Sequence, residues 1–439
     1  MDTRSISESF LNVRRKSAEL CSSLETEDYV IQTMPDVSPA KWHLGHTSWF
    51  FEIFVLREFV PGYSLVNEHY PFIFNSYYNH AGDRVYRPHR GFISRPTVRQ
   101  VFEYRRRITE ETARLLETAE QLPDAAEILR RVEIGVHHEQ QHQELFLTDI
   151  KHVFFQNVMR PALGVKASAA PSSAAKTKPR YIEYEGGLHE FGRARAGFGE
   201  NGGDFSYDNE TPVHRAYLED FSLRNRPVTN GEYLEFISDG GYRDFRHWLS
   251  DGWDLVHREN WEAPLYWEKK DDAWFVYTLN GSVPLDENEP VSHVSFHEAH
   301  AYASWAGVRL PGEYEWELAA RASAPDAARD NFMESGALHP RAPGSENGAR
   351  HTEQLNSEQS NPEQLYGDVW EWTRSAYLPY PGFSAEDGAL GEYNGKFMND
   401  QRVLRGGSCA TPASHMRATY RNFFQGDKRW QFSGIRPAK

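Results

Sequence analysis

Apolar residues at helical spacing dominate the first third of the chain. The clearest run surrounds Val132 and Val136 and leads into Leu145 and Phe146. The pattern predicts four helices, over residues 5–24, 38–56, 97–121 and 124–158. Four such helices indicate a helical bundle. Residues 57–96 lack this period and are rich in aromatic side chains, which is typical of a long functional loop.

The pattern changes after residue 160. Residues 161–179 are rich in Ala, Ser, Lys and Pro, which predicts a linker. Beyond it, short apolar segments alternate with Gly, Trp and Tyr, and only residues 229–239 and 295–306 predict longer helices. We therefore expect a multidomain protein with an α domain followed by an α+β domain. The predicted boundaries are 1–160 for the bundle, 161–179 for the linker and 180–439 for the second domain.

Composition narrows the class of protein. The chain has 439 residues and a formal net charge of −15 without a basic run, which argues against nucleic-acid binding. Cys21 and Cys409 are the two cysteines, so a disulfide framework is not expected and the usage fits a reducing cytoplasm. The sequence contains no apolar run long enough to span a bilayer, and residues 1–24 predict a polar amphipathic helix instead of a secretory signal. We therefore expect a cytoplasmic protein.

Histidines on two of the predicted helices indicate a metal site. His138 and His142 are four residues apart, so they project from one helix face and can bind one metal ion. Upstream, His43 and His46 are three apart, and we expect His46 to be the third ligand, with His43 as the alternative. Gln141 lies only about 60° from His138 and can reach a bound substrate. The competing interpretation is a solvated polar face with chance histidines.

The second domain resembles the formylglycine-generating-enzyme/sulfatase-modifying-factor fold, a C-type-lectin-like α+β fold. The matching segments are PVTNGEY (227–233), PVSHVSF (290–296), AYASWAGVRLP (301–311), EYEWE (313–317), GDVWEW (367–372) and RVLRGGS (402–408). The copper-dependent formylglycine chemistry of that family needs a pair of cysteines. Because Cys409 stands alone in this domain, we do not expect that reaction.

The first domain resembles DinB-type metal-binding four-helix bundles, and the two domains in this order resemble the ergothioneine-biosynthesis sulfoxide synthases (EgtB family). The matching segments are WHLGH (42–46), NSYYN (75–79), HEQQHQE (138–144), TYRNFF (419–424) and WQFSGIR (430–436). This resemblance implies a non-haem iron(II) enzyme. Such an enzyme joins a thiol sulfur to the imidazole C2 of hercynine, Nα-trimethylhistidine, and uses O2 to oxidise that sulfur to a sulfoxide. The implied iron ligands are His46, His138 and His142.

The resemblance also implies roles for residues outside the ligand set. Tyr77 and Tyr78 match a tyrosine pair, and a phenol near iron can give a proton or hydrogen atom to an oxygen intermediate. Asn422 matches the hercynine-binding position, and its amide can hold a carboxylate or an imidazole nitrogen. Phe423 stands beside it and offers a ring face to a trimethylammonium group. Aromatic packing is the competing interpretation of the tyrosines.

The expected sulfur donor is inferred from one position at which this chain differs from relatives in the family. Relatives that use γ-glutamylcysteine carry an acidic residue where this chain has Phe424, so we expect cysteine as the donor. Arg87 and Arg90 are candidates for binding its carboxylate, although both are also compatible with surface positions. The alternatives in enzyme chemistry are a selenoneine synthase that uses a selenosugar and a DinB-type zinc thiol transferase. A lectin-like binding module with structural histidines is the alternative outside enzymes.

Overall fold

The computed structural model describes residues 3–164, 178–194, 205–343, 362–385 and 388–439, and these form two units. The first unit contains the described residues of Met1–Val158, Ala194–Asp208 and Ser384–Lys396. The second contains those of Met159–Arg193, Asn209–Phe383 and Phe397–Lys439. Most of the predicted linker, residues 165–177, lies outside the described residues. The domain boundaries drawn from the sequence therefore stay a prediction.

Helices build the first unit. They are α1 (Thr3–Leu20), α2 (Ala40–Phe51), α3 (Arg57–Phe59), α4 (Tyr70–Phe74), α5 (Val98–Thr118) and α6 (Ala125–Gln156). A π-helical segment, Glu52–Leu56, continues α2 without a break. The long helices α1, α2, α5 and α6 pack on one another, which confirms the predicted four-helix bundle.

The centre of this bundle is α2, because every one of its residues is buried. Its neighbour α5 begins with a capping box, in which the Thr97 side chain accepts a bond from the Gln100 amide. A buried carboxylate on α6, Glu139, ties three helices together. It accepts hydrogen bonds from Ser17 and Arg14 of α1 and from Arg105 of α5. These contacts fix the rotation of α6 and therefore the direction in which its histidines point.

The second unit combines short strands with short helices. Its helices are α7 (Asn230–Ser238), α8 (Ser250–Glu259), α9 (Phe296–Trp305) and α10 (Glu313–Ala320). Its strands are β1 (Tyr181–Tyr184), β2 (Gly187–Phe191), β3 (His214–Leu218), β4 (Phe221–Arg224), β5 (Trp267–Lys270), β6 (Ala273–Thr278), β7 (Gly281–Pro284), β8 (Trp370–Ala376), β9 (Gln401–Arg405), β10 (Asn422–Gln425) and β11 (Ser433–Gly434). The predicted α+β character of this part of the chain is confirmed.

The strands form small sheets. The largest has the order β10-β9-β8-β11, with β11 parallel to β8 and the other neighbours antiparallel. The remaining sheets pair β1 with β4, β2 with β3, and β5 with β6 and β7. In the part of the chain described here, no helix has the length and apolarity needed to cross a membrane.

The expectation of only two longer helices in this part was wrong. The structure adds α8 and α10. Acidic and apolar residues alternate in the first part of α10 (EYEWEL, 313–318), which is not a helical period, and α8 contains Gly252, a poor helix former, in its first turn. A cap explains the start of α10, because the Glu315 side chain accepts a bond from the Gly312 amide at 2.6 Å. The predicted helices α7 and α9 both begin with capping boxes, at Thr229 and Ser295.

Candidate metal centre

Helices α2 and α6 bring the three predicted ligands together. One nitrogen from each of His46, His138 and His142 lies within 4.8 Å of the other two. The Nε2 atoms of His46 and His138 are 3.2 Å apart. Two nitrogens about 2.1 Å from one metal ion, at angles near 90–110°, are separated by roughly 3.0–3.4 Å. The arrangement therefore fits one ion bound by nitrogens from two helices.

The ring of His46 is held on three sides. Its Nδ1–H donates to the carbonyl oxygen of Phe74, at 2.6 Å, so its Nε2 carries the lone pair. Trp42 and Trp49 stack on the ring, with centroid distances of 4.6 and 5.4 Å. An imidazole fixed in tautomer and orientation before the metal arrives is typical of a metal ligand.

Burial keeps the three histidines neutral. It lowers the pKa of His46 and of His142 well below the ordinary range, and it lowers the pKa of His138 to about 3. Neutral imidazoles present lone pairs, and two lone pairs facing each other at 3.2 Å repel unless a cation or a proton lies between them. The Nδ1 atom of His138 is also buried without a hydrogen-bond partner among the described residues. The donor set fits a divalent transition metal.

The tyrosine pair lies beside this cluster. Tyr78 is fully buried, stacks on Tyr77 at 4.6 Å, and packs against Trp49 at 5.5 Å. Trp49 in turn stacks on His46, so one indole contacts both the tyrosine and the ligand. Burial raises the pKa of both phenols, which keeps them protonated at neutral pH.

A third tyrosine, Tyr393, lies at the cluster and was not predicted. Its hydroxyl donates to Gln141 Oε1, and its ring lies edge-on to His138 with a centroid distance of 5.7 Å. Centroid distances to Tyr77 and Tyr78 are 6.4 and 6.5 Å. Because it lies 252 residues from Gln141 in the chain, no local pattern connects the two.

The segment that carries Tyr393 also holds the tyrosine loop. Glu392 accepts hydrogen bonds from the backbone and side-chain nitrogens of Asn79, at 3.0 and 3.1 Å, and of His80, both at 2.8 Å. Lys396 bonds to Glu392 and to the carbonyl of Tyr77. Burial opposes ionisation of Glu392, but these donors and Lys396 outweigh it and lower its pKa to about 2. Sequence reasoning did not identify either residue.

The hydrogen bonds of His142 extend away from the ligand cluster. Its Nδ1 lies 2.9 Å from Nδ1 of His43, whose Nε2 lies 3.0 Å from a carboxylate oxygen of Asp149. Asp149 was not predicted, although its position gives a signal. It follows His142 by seven residues on α6 and therefore lies on the same helix face.

The two arginines differ in environment. Arg90 is buried, with its guanidinium 3.4 Å from the ring centroid of Trp42, and it donates to the hydroxyls of Ser38 and Ser76. Its Nε has no partner among the described residues, and burial lowers its pKa well below the ordinary value. Arg87 is exposed and donates to the backbone carbonyl of Asp36.

The other predicted substrate residues belong to the second unit, on β10. Asn422 and Phe424 point to one face of the strand and Phe423 to the opposite face. The ring of Phe423 is parallel to that of Tyr377, with centroids 4.1 Å apart, while Phe424 lies edge-on to Trp430 at 5.4 Å. The three side chains are half-buried. Their roles stay predictions.

Comparison with known families supports the predicted architecture. Residues 166–439, more than half of the chain, match the family described as the sulfatase-modifying factor enzyme 1-like domain. The chain belongs to this family. Residues 9–146 match the DinB superfamily. The predicted fusion of a DinB-like bundle with this second domain is confirmed.

Individual relatives agree with this fusion. A hercynine oxygenase of Mycolicibacterium smegmatis is 38% identical over 242 residues, which cover 53% of this chain and 56% of the relative. A hercynine oxygenase of Mycobacterium tuberculosis is 36% identical over 247 residues, with coverages of 53% and 56%. The ergothioneine biosynthesis protein 1 of Schizosaccharomyces pombe is 27% identical over 240 residues, with coverages of 54% and 28%. The chain spans about half the length of the hercynine oxygenases it matches.

Proposed function

We propose that the chain is an iron(II)- and O2-dependent sulfoxide synthase that joins cysteine to hercynine. The observation that carries this proposal is the cluster of three neutral imidazoles, two buried and one half-buried, in a chain whose relatives include hercynine oxygenases. In the reaction, the C2–H bond of the imidazole and the S–H bond of the thiol break, and a C–S and an S–O bond form. O2 accepts four electrons, so that one of its oxygen atoms enters the sulfoxide and the other leaves as water.

Iron(II) is the metal we assign to His46, His138 and His142. Imidazole suits iron, and three neutral ligands leave coordination positions open to substrates. When bound, iron(II) supplies positions for thiolate and O2 together with the capacity for one-electron redox chemistry. The protein contributes the fixed tautomer of His46, the stacking of Trp42 and Trp49 on it, and the exclusion of water by burial.

Tyr77 and Tyr78 are the proposed proton or hydrogen donors. Both phenols are protonated at neutral pH because burial raises the pKa of each. The hydrogen bonds of Glu392 to the neighbouring Asn79 and His80 fix the loop that carries them. A donor held in place in this way does not have to reorganise when a proton moves.

We propose Gln141, Asn422 and Phe423 as the residues that contact hercynine. Tyr393 donates to the carbonyl of Gln141, so the amide nitrogen of Gln141 is the group that would donate to the substrate imidazole. We assign Asn422 to the substrate carboxylate and Phe423 to the trimethylammonium group, which an aromatic face attracts. The apolar Phe424 supports cysteine over γ-glutamylcysteine as the donor, because no carboxylate is present there for a glutamyl ammonium group.

Arg90 is the stronger candidate for the cysteine carboxylate. It is a buried guanidinium whose Nε–H has no partner among the described residues, and a bound carboxylate would satisfy that group. Arg87 is exposed and would contribute from the surface. Replacement of Arg90 by Met should raise the KM for cysteine more than the KM for hercynine.

Anaerobic reconstitution tests the proposed reaction. Metal-free protein is loaded with Fe(II), mixed with hercynine and cysteine, and exposed to O2, and the product is identified by mass spectrometry. Hercynylcysteine sulfoxide is the expected product. Product with γ-glutamylcysteine or a selenosugar, but none with cysteine, would contradict the assignment of Phe424 and Arg90. Absence of product with every donor would contradict the sulfoxide synthase itself.

A further inference from the structure

Two buried side chains, Asp149 and His43, and the half-buried His142 form a hydrogen-bonded chain behind the metal cluster. Asp149 of α6 lies 3.0 Å from Nε2 of His43 on α2, and Nδ1 of His43 lies 2.9 Å from Nδ1 of His142. Asp149 and His43 are 3% and 5% exposed, so their contact with each other is shielded from water. The same carboxylate oxygen of Asp149 also accepts from the Ser38 amide at 2.8 Å, which anchors it where α2 begins.

The chemistry of these groups fixes where the protons lie. A carboxylate only accepts hydrogen bonds, so Nε2 of His43 carries a proton. In the neutral imidazole the other nitrogen, Nδ1, is then an acceptor. The contact between His43 and His142 therefore requires the proton to lie on Nδ1 of His142. The lone pair of His142 is left on Nε2, which is the nitrogen available to a metal.

We propose that His43 and Asp149 are positioning residues that hold His142 in the tautomer and orientation required of a metal ligand. This inference rests on the proposed metal site. It also excludes His43 as a ligand, because both of its ring nitrogens are already engaged. His46 is fixed by the same principle through a different acceptor, the carbonyl of Phe74. Each of the two ligands thus has its Nδ1–H held by the protein, one by backbone and one by a histidine–carboxylate pair.

The tautomer of His142 in the wild-type protein tests this proposal. Metal-free protein labelled with 15N-histidine is examined by long-range 1H–15N correlation spectroscopy, with His142→Gln identifying the signal. We expect the proton on Nδ1 of His142, although free imidazole side chains favour Nε2. A proton found on Nε2 would overturn the proposal whether or not the protein catalyses any reaction.

Metal affinity tests the same inference with variants. Co(II) is titrated into metal-free protein and followed by its visible absorption, for wild type, His43→Phe, His43→Asn and the control His152→Gln. His43→Phe removes the acceptor, and we expect binding weaker by about 10- to 100-fold, as for lost outer-shell partners of other metal ligands. His43→Asn can place a carbonyl oxygen near the former Nδ1, so its loss should be smaller than that of His43→Phe.

The control variant and the wild type distinguish a failure of the positioning role from a failure of the metal site itself. His152 is a buried histidine of the same helix that bonds to Thr33. Neither of the hydrogen bonds that join Asp149, His43 and His142 includes it, so its variant should bind Co(II) like wild type. Wild-type affinity in His43→Phe would overturn the positioning role. No binding by wild type would instead overturn the metal site. If His43→Phe does not fold, His43→Asn and the wild-type tautomer still decide the question.

Discussion

Replacing Glu139, which is not one of the proposed metal ligands, by Gln should destabilise the bundle. Glu139 is 1% exposed and accepts hydrogen bonds from Arg14 at 2.9 Å, from Ser17 at 2.6 Å and from Arg105. One carboxylate therefore serves two buried guanidinium groups. Burial and the charge of Arg105 lower the pKa of Arg14 to about 10, so Arg14 remains charged at neutral pH and depends on Glu139 for its partner.

Two arguments give similar values for the free energy of unfolding that Glu139→Gln should lose. Burial alone would raise the pKa of Glu139, but the arginines and Ser17 reverse this and lower it from 4.5 to about 2. A difference of about 2.5 at roughly 1.4 kcal/mol per pKa unit corresponds to about 3 kcal/mol. Removing one partner of a buried ion pair costs roughly 3–5 kcal/mol, because the other charge stays buried. We therefore expect Glu139→Gln to lower the free energy of unfolding by about 3 kcal/mol.

The assay is native-state hydrogen exchange of the α6 amides in metal-free protein, measured against urea concentration. Metal-free protein is used because bound metal would add its own stabilisation. The matched control is Glu110→Gln, which removes an exposed partner of Arg106 and should cost at most about 0.5 kcal/mol. A Glu139→Gln variant within about 1 kcal/mol of wild type would refute the reasoning.

The same contact predicts a pH dependence. The folded pKa of Glu139 is lowered, so its stabilisation is present above pH 4.5 and is lost as the pH falls from 4.5 towards 2. Wild type should lose stability more steeply than Glu139→Gln in this interval. Parallel pH profiles would show that Glu139 does not bind its proton differently in the folded and unfolded states.

Three further substitutions test the surroundings of the cluster. Gly45→Ala would place a Cβ about 2.1 Å from the ring of Phe74. We therefore expect the free energy of unfolding to fall by roughly 1–3 kcal/mol and Co(II) binding to weaken. An unchanged free energy of unfolding and an unchanged Co(II) affinity would contradict this packing. Glu392→Ala should raise the rate of amide exchange in residues 77–81 by about tenfold at pH 7, and this difference from wild type should fade as the pH falls from 4.5 towards 2. Equal exchange rates in the variant and the wild type at pH 7 would contradict the role of Glu392 in holding this loop. Of Tyr77→Phe and Tyr78→Phe, one should lower turnover by about 100-fold or more with unchanged metal content, and full activity in both would remove the tyrosines from the chemistry.

Periodicity predicted the bundle, residue spacing predicted the histidine pair on α6, and the full set of three ligands came from the family resemblance. Helix α6 is long and periodic, and four-residue spacing alone places His138 and His142 on one face. His46 was favoured as the third ligand because a second histidine-bearing helix is apolar enough to be buried, and α2 is indeed buried throughout. Motif resemblance, which reflects the whole fold, predicted the second domain where periodicity was weak.

The remaining parts of the site depend on contacts between distant segments. Tyr393 and Glu392 lie on a segment without a regular spacing of apolar residues. They contact the cluster and the tyrosine loop only because this segment packs on the bundle, far from it in the sequence. The partner of His43, Asp149, shares a helix face with His142, but spacing alone does not show that α2 places His43 between them. Helix α10 begins with alternating acidic and apolar residues and α8 contains Gly252, so neither sequence indicates a helix clearly.

The most direct test of the proposed reaction follows the oxygen atoms. Iron-loaded protein is supplied with hercynine, cysteine and 18O2 in ordinary water, and both O2 uptake and the mass of the product are measured. We expect one molecule of O2 to be consumed for each molecule of product, and one 18O atom to appear in the sulfoxide. A thioether formed without O2 uptake, above all by zinc-loaded protein, would contradict it.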